Sequence, residues 1–533
     1  MTPAGRRILG VLATAQFLMV LDQAVMNVSI SQLVADFHTT VTTIQAVIAM
    51  YSLVMAVLMI PGGKMGDILG RRRAFTIGMC IYGTGSLITA ISGSVAVLMF
   101  GWSLLEGIGA ALVLPALVAL TARSFEGPQR ALAYGVLGGV SGAGIAVGPI
   151  LGGWMTTNLS WRYVFAGEVL IVLGILACIR FLPEVKGRAG AVLDRIGALL
   201  CGSGLALIVF GSLQAGTWGW LQPRDSPITP FGFSLTPFVI AAGVGLLYAF
   251  REWARHREDE EKEPLVHFRL FQILSLRAGL STFLLQNLIL MGVFFSIPLY
   301  LQIVQGLDAF ETGVRMLPVS VALFVTALLG SQLSKRMAAR RIVRIGLGLL
   351  LAACLIILST IKPELEGVPF AVGMSLLGIG MGLIVSQLGN VVQSSIGEDD
   401  RSEAGGLQFT AQQLGAALGT AVIGAVVISG LLNAFAEKVQ KNPEISSKVK
   451  QQVSISLEGN VSFVPTSDVE AAAKKAGLDQ ATTEAIVSDY ADSQLTALKT
   501  GLLVAALLVC AAFPATRNLP REVAPSRGPP VAA

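Results

Sequence analysis

Three acidic residues of this chain stand where water should be scarce. Asp22, Glu106 and Glu168 each fall inside a long apolar stretch of the 533-residue sequence. An ionised side chain in hydrocarbon is expensive, so an intramembrane acid is a functional residue by default. The chemistry open to such a group is exchange: it holds a proton, or releases it to accommodate a cation. Asp22 lies about 14 residues into its run, some 21 Å from the end at about 1.5 Å per residue. Glu106 sits near the middle of the fourth run. Glu168 is shallower and close to Arg162, so simple charge pairing stands beside a functional role.

A second group of residues lies between the second and third apolar runs. Gly62-Gly-Lys-Met-Gly-Asp-Ile-Leu-Gly-Arg-Arg-Arg-Ala74 packs glycines, one carboxylate and four cations into a short connection. Gly63, Asp67, Gly70, Arg71, Arg72 and Arg73 are expected to form a tight turn with an ion-pair network at a helix end. A faded copy, Gly330-Ser-Gln-Leu-Ser-Lys-Arg-Met-Ala-Ala-Arg-Arg341, has Ser334 at the acidic position and keeps the basic cluster. The fifth run is dense in glycine, including Gly144, Gly148, Gly152 and Gly153, and contains Pro149. Glycines four apart let another helix approach closely, and proline removes a backbone donor. This helix is expected to be a sliding contact between two halves. Gln286, Asn287, Tyr300, Gln302, Gln387 and Asn390 are polar positions in later runs, suited to lining a cavity or to bonding between helices.

The elements that must position these residues are membrane spans. The chain is 53% hydrophobic and 13% charged, against about 25% charged in soluble domains. Fourteen apolar runs, each near the about 20 residues that cross a bilayer, are expected at roughly 8–35, 43–62, 74–94, 96–120, 131–156, 163–182, 192–213, 234–251, 278–302, 313–334, 342–361, 368–389, 407–432 and 495–515. With both termini in the cytoplasm, the short outer loops keep only Arg162, Arg224, Arg315 and Lys362 of the 38 basic residues. That asymmetry is a topology signal. It also explains the net charge of +5 without nucleic acid, since the cations recur at span boundaries. The run that follows Arg6-Arg7 continues past Asp22, which favours an uncleaved span over a signal peptide.

The expected organisation is all-α. A six-helix bundle covers residues 1–190, two inserted spans cover 191–253, and a cytoplasmic loop covers 254–277. A second six-helix bundle covers 278–517, and 518–533 is a disordered cytoplasmic tail. Residues 433–494 form an outer segment, with a hairpin around Glu458-Gly-Asn460 and a capping box at Ser467-Asp-Val-Glu470. A further helix from about Thr482 runs into the last span. The five cysteines all fall inside spans and read as packing residues. There is no phosphate-binding Gly-x-x-x-x-Gly-Lys-Ser/Thr loop, so ATP is not the direct energy source. No metal cluster, cofactor motif or nucleophile–base set stands out. The reading is a carrier and not an enzyme.

On these residues the chain resembles the 14-helix drug:proton antiporters of the major facilitator superfamily. Gly63-x-x-x-Asp67-x-x-Gly70-Arg71 is similar to the superfamily's cytoplasmic loop motif. Gly144-Ile-Ala-Val-Gly148-Pro149-Ile-Leu-Gly152-Gly153 is similar to the motif that marks its exporters. Leu21-Asp22-Gln-Ala-Val-Met-Asn27 is similar to the first-helix motif of drug exporters. The resemblance implies two six-helix bundles around a central cavity, two extra helices between them, and outward transport driven by inward protons. It places Asp22 and Asn27 at the coupling and substrate site. Two departures concern the acids: Ser103 and Glu106 stand where the fourth-helix motif usually has arginine and glutamine, and Glu168 replaces a usual asparagine. The expected substrates are amphiphiles, cationic ones above all, exported at the plasma membrane by a multi-pass protein that contacts small molecules, protons and lipid. Export of one endogenous metabolite or antibiotic is the alternative, and a non-transporting receptor or scaffold a more distant one.

Overall fold

The computed structural model describes residues 2–184, 187, 192–334, 336–397, 401–447, 449–450 and 463–522. All regular structure among them is helical. The first group of helices is α1 (Pro3–Val28), the short α2 (Ile30–Asp36), α3 (Val41–Leu69), α4 (Arg71–Ala90), α5 (Val95–Ser124), α6 (Gly127–Asn158) and α7 (Arg162–Ala177). Next come α8 (Arg195–Trp218) and α9 (Thr236–Asp259). The last group is α10 (Leu274–Val304), α11 (Ala309–Leu333), α12 (Ala339–Thr360), α13 (Gly367–Ser394), α14 (Arg401–Lys441), the short α15 (Thr466–Lys475) and α16 (Gln480–Ala515).

Twelve of these helices are long and apolar enough to cross a membrane. The helices α4 and α9 occupy the expected third and eighth spans but are less apolar. In α4, glycine, serine and threonine dilute the hydrophobic residues; in α9, the last turns carry Arg251, Glu252, Arg255, Arg257, Glu258 and Asp259. The structure therefore supports twelve spans by length and composition, and the expected fourteen is not established by it.

Within the first group, α4 packs on α5 and α7, α3 on α5, and α1 on α6. Within the last group, α13 packs on α11 and α12, and α14 lies between α10 and α16. The two groups meet along two seams, α6 against α11 and α3 against α14. The inserted helix α8 touches both sides of the second seam: Val57 of α3 abuts Gly202, and Ala425 of α14 abuts Gly216. Helices can approach this closely only where one supplies no side chain.

Several local expectations need correction. The Gly62–Ala74 connection is no loop, because α3 stays helical through Leu69 and the whole reversal falls on Gly70, at φ 93°. Glycine adopts that conformation without the strain a side chain would add. The helix expected to begin with a capping box at Ser467 instead starts at Thr466 after Pro465, with no side-chain cap. It ends at Gly477, φ 75°, as anticipated. The hairpin expected around Gly459 lies outside the described residues. The tail is docked as far as residue 520 instead of loose from 518: Leu519 is buried and the Pro520 carbonyl accepts from the Arg340 amide.

At about 1.5 Å per residue, α14 (41 residues) and α16 (36 residues) outrun a hydrocarbon core of about 30 Å. Their projecting ends fold together with α15. Phe435 meets Tyr490 edge-on at 5.3 Å, Lys438 pairs with Asp492 at 2.6 Å, and Gln494 donates to the Val464 carbonyl at 2.7 Å.

Candidate functional site: a three-carboxylate cluster

Asp22, Glu106 and Glu168 come from three helices of the first group, yet one carboxylate oxygen of each lies within 4.8 Å of the others. All three are buried, at 0%, 0% and 1% exposure. Their partners are donors held by packing. The Trp102 indole N–H donates to Asp22 Oδ1 at 2.7 Å. The Thr89 hydroxyl donates to Glu106 Oε1 at 3.3 Å. The hydroxyls of Ser86 and Tyr82 donate to Glu168 Oε2 at 3.1 and 3.3 Å. The Tyr51 ring stacks on Trp102, 4.5 Å between centroids and nearly parallel. One oxygen on each acid, Asp22 Oδ2, Glu106 Oε2 and Glu168 Oε1, is buried without a hydrogen-bond partner.

Local chain geometry explains the convergence. Residues 99–106 of α5 form a π-helical stretch, a wider turn that often marks functional sites. It carries both Trp102 and Glu106 inward. A Cβ on Gly85 would stand 2.6 Å from Glu106 Cγ and 2.7 Å from the Gly101 carbonyl, so α4 and α5 meet here only because both residues are glycine. Tyr82, Ser86 and Thr89 line one face of α4 at helical spacing.

Charge accounting constrains what the cluster can do. At an effective dielectric of about 20, two ionised carboxylates 4.8 Å apart repel by about 3 kcal/mol. Three such pairs form the triangle, and among the described residues no lysine or arginine bridges to any member. Protons or a bound cation must therefore supply positive charge. Arg162, anticipated as a partner for Glu168, goes elsewhere: it pairs with Asp36 at 3.1 Å, donates to the Ser92 carbonyl and lies over the Trp161 ring. Asp36 also accepts from the Trp161 indole at 2.9 Å, which makes it the better-built counter-charge. Asn27 is buried but donates to the Gln23 carbonyl of its own helix at 2.8 Å, and the structure does not bring it to the acids.

At the α3–α4 corner, Arg71 reaches back to the Asp67 carboxylate and to the Gly63 carbonyl. A Cβ on Gly66 would lie 2.8 Å from the Arg71 guanidinium. Arg72 is half-buried and Arg73 exposed, and neither joins this pair. Lys64 instead leaves the corner to meet Glu263 at 2.8 Å.

The glycine-rich helix α6 serves two neighbours at once. Gly144, Gly148 and Gly152 face α1 of the same group, against Val20, Ala24 and Val25. Gly153 faces α11 across the seam, with a Cβ position only 2.3 Å from the Ala309 carbonyl. Pro149 lacks the amide that would bond the Ile145 carbonyl, and the Ser320 hydroxyl of α11 donates to that carbonyl at 3.1 Å. The proline thus exposes an acceptor that the opposite group uses.

Sequence reasoning missed the donors around the acids, although the polar 82–86–89 face of α4 was a readable signal. It also missed Gln23 of α1, which donates to Gln413 of α14 in the other group at 3.4 Å, and Gln45 of α3, which donates to the Thr420 carbonyl across the second seam at 2.8 Å. Gln302, anticipated only as a polar position, donates to the Val28 carbonyl at 2.9 Å. Gln45 and Gln302 lie toward the end opposite the Gly70 corner, and there Thr157 also accepts from the Phe310 amide.

Known proteins resemble this chain in sequence and in fold. The chain is 29% identical to the tetracenomycin C resistance and export protein of Streptomyces glaucescens over 428 residues, 80% of this chain and 76% of that protein. It is 27% identical to the multidrug resistance protein B homolog of Mycobacterium tuberculosis over 447 residues, 82% of this chain and 80% of the relative. Its fold matches an inward-facing, unoccupied bacterial homologue of the human lysosomal transporter Spinster, at TM-score 0.60 and 16% identity, covering 97% of this chain and 98% of the other. Residues 12–420 match the sequence profile of the Major Facilitator Superfamily, and the chain belongs to that family of membrane transporters.

Proposed function

We propose that this transporter exports amphiphilic compounds, cationic ones among them, by alternating access in exchange for protons. The observation that carries the reading is the enclosed cluster of three carboxylates with no basic partner among the described residues. Asp22, Glu106 and Glu168 take up protons from one face and release them to the other. The Trp102 and hydroxyl donors hold each acid in place through both states. The seams α6–α11 and α3–α14 are the surfaces that separate and close. The Asp67–Arg71 corner lies on the cytoplasmic side with both termini, and its ion pair fastens that side when the opposite end opens. Fourteen spans, with α4 and α9 included, give this orientation at the plasma membrane.

A second reading is favoured by the names of relatives. Tetracenomycin C export and cephamycin export each concern one antibiotic, and the latter protein is 31% identical to this chain. On that reading the substrate is one such metabolite. The test is transport into proteoliposomes under an imposed pH gradient, offering a quaternary ammonium dye and a neutral polycyclic antibiotic side by side. Uptake of either that collapses with a protonophore supports proton-coupled export. Uptake of the antibiotic alone selects the second reading, and movement of neither under any gradient refutes both.

A further inference from the structure

We propose that the Asp22–Glu106–Glu168 pocket is a binding site for a hard divalent cation of calcium's size. The inference uses the same pocket as the proton reading above and rests on it as the transporter's ion site. Three independent helices, α1, α5 and α7, each deliver a carboxylate oxygen within 4.8 Å of the other two. Each acid is fixed by a donor on one oxygen and keeps a second, buried oxygen that bonds to nothing.

A fourth ligand points to the same place from outside the acidic cluster. The Tyr51 hydroxyl of α3 is fully buried and lies beside Asp22, where it makes no hydrogen bond of full geometry. Its ring is held by the stack on Trp102, the residue that pins Asp22. A buried hydroxyl short of a well-aligned partner is unfavourable, and a cation among the carboxylates would satisfy its oxygen.

The donor set selects the ion. All candidate ligands are oxygens, with no thiol or imidazole among them, which suits calcium and magnesium in preference to zinc or copper. Calcium takes six to eight oxygens at about 2.3–2.6 Å, so ligands on opposite sides of it stand up to about 5 Å apart, the scale of this triangle. Three carboxylates supply up to six oxygens and Tyr51 a seventh. Magnesium requires shorter, near-octahedral contacts at about 2.0–2.1 Å and keeps several waters. A pocket at 0–1% exposure with side chains pinned from behind does not offer that. The groups facing the ion are Asp22, Tyr51, Tyr82, Glu106 and Glu168. The oxygens that hold it cannot serve the coupling protons at the same time, so an occupied pocket stalls transport.

The test is equilibrium binding of radioactive calcium to the purified full-length protein in detergent, with magnesium in excess. Expected is one saturable site per chain, weakened at least tenfold in both Glu106→Gln and Glu168→Gln and several-fold in Tyr51→Phe. Calcium should also change the tryptophan emission of the wild type, and that change should be absent in Trp102→Phe. Absence of saturable binding in the wild type overturns the proposal, as does binding that both glutamine variants leave unaltered or that magnesium abolishes. Gradient-driven transport in calcium-free buffer is measured in parallel. If it persists while calcium does not bind, only this inference fails; if it is missing, the proton reading fails whatever calcium does.

Discussion

Each acid of the cluster can lose its charge without losing its hydrogen bond. Asp22 Oδ1, Glu106 Oε1 and Glu168 Oε2 all act as acceptors, and an amide oxygen accepts equally well. Asn or Gln at these positions therefore tests protonation, with packing nearly untouched. The supporting residues behave differently. Trp102→Phe keeps the stack on Tyr51 but leaves Asp22 Oδ1 buried without its donor, a loss of about 1–3 kcal/mol. Thermal unfolding of the purified variant should show that destabilisation. Gly85→Val pushes a side chain into Glu106 and the Gly101 carbonyl, and overpacking of this kind costs about 1–3 kcal/mol. Its melting temperature should fall, while Gly245→Val, where nothing lies within 4 Å, should not move it. The acids themselves were legible because charge inside an apolar run is conspicuous. Their meeting was not, since 62 or more residues separate each from the next. Arg162 misled for a related reason: it stands six positions from Glu168 in sequence, but Asp36, far away in the chain, reaches it in space.

Among the elements, α6 carries the clearest mechanical consequence. Its glycines were legible, but their division between two neighbours was not, because spacing alone does not tell which face meets which helix. Gly148→Leu should wedge α1 off α6 within one group, and Gly153→Leu should wedge the seam with α11 open. Spin-label distances across the seam should widen only in the second variant. Ser320→Ala strips the Ile145 carbonyl of its donor from the opposite group. A hydrogen bond worth about 1 kcal/mol corresponds to about a fivefold change in the balance between closed and open seam, readable in the same distance distributions. The connection between α9 and α10 is a second element with a testable property. Lys64 of α3 holds Glu263, and protonated His267 donates through Nδ1 to the Glu403 carboxylate of α14 at 2.8 Å, so this stretch ties both groups together. The Glu403 carboxylate raises the His267 pKa, against the opposing charges of Lys64 and Arg269. The ionic part of the tie is therefore complete below the ordinary histidine value of about 6.5 and is lost as pH climbs through the raised value, while the His267 backbone amide keeps its bond to Glu403. Hydrogen exchange across residues 260–273 should accelerate over that window, and His267→Gln should remove the pH dependence.

For the whole molecule, hydropathy made the membrane-spanning helices legible, twelve of them by length and composition. What eluded the sequence was local continuity. A stretch with Gly62, Gly63 and Gly66 reads as a loop, yet it stays helical, and its glycines serve close packing: Ala111 leaves no room for a side chain at Gly62, and Arg71 fills the place of one at Gly66. The central claim is that three enclosed acids move protons for a transporter whose two helix groups rock against each other. Its most direct measurement compares wild type, Asp22→Asn and Glu106→Gln in proteoliposomes, recording substrate counterflow and pH-gradient-driven accumulation on the same preparation. The account predicts measurable counterflow in all three and gradient-driven accumulation cut at least tenfold in both variants. Full gradient-driven accumulation in both amide variants would contradict it.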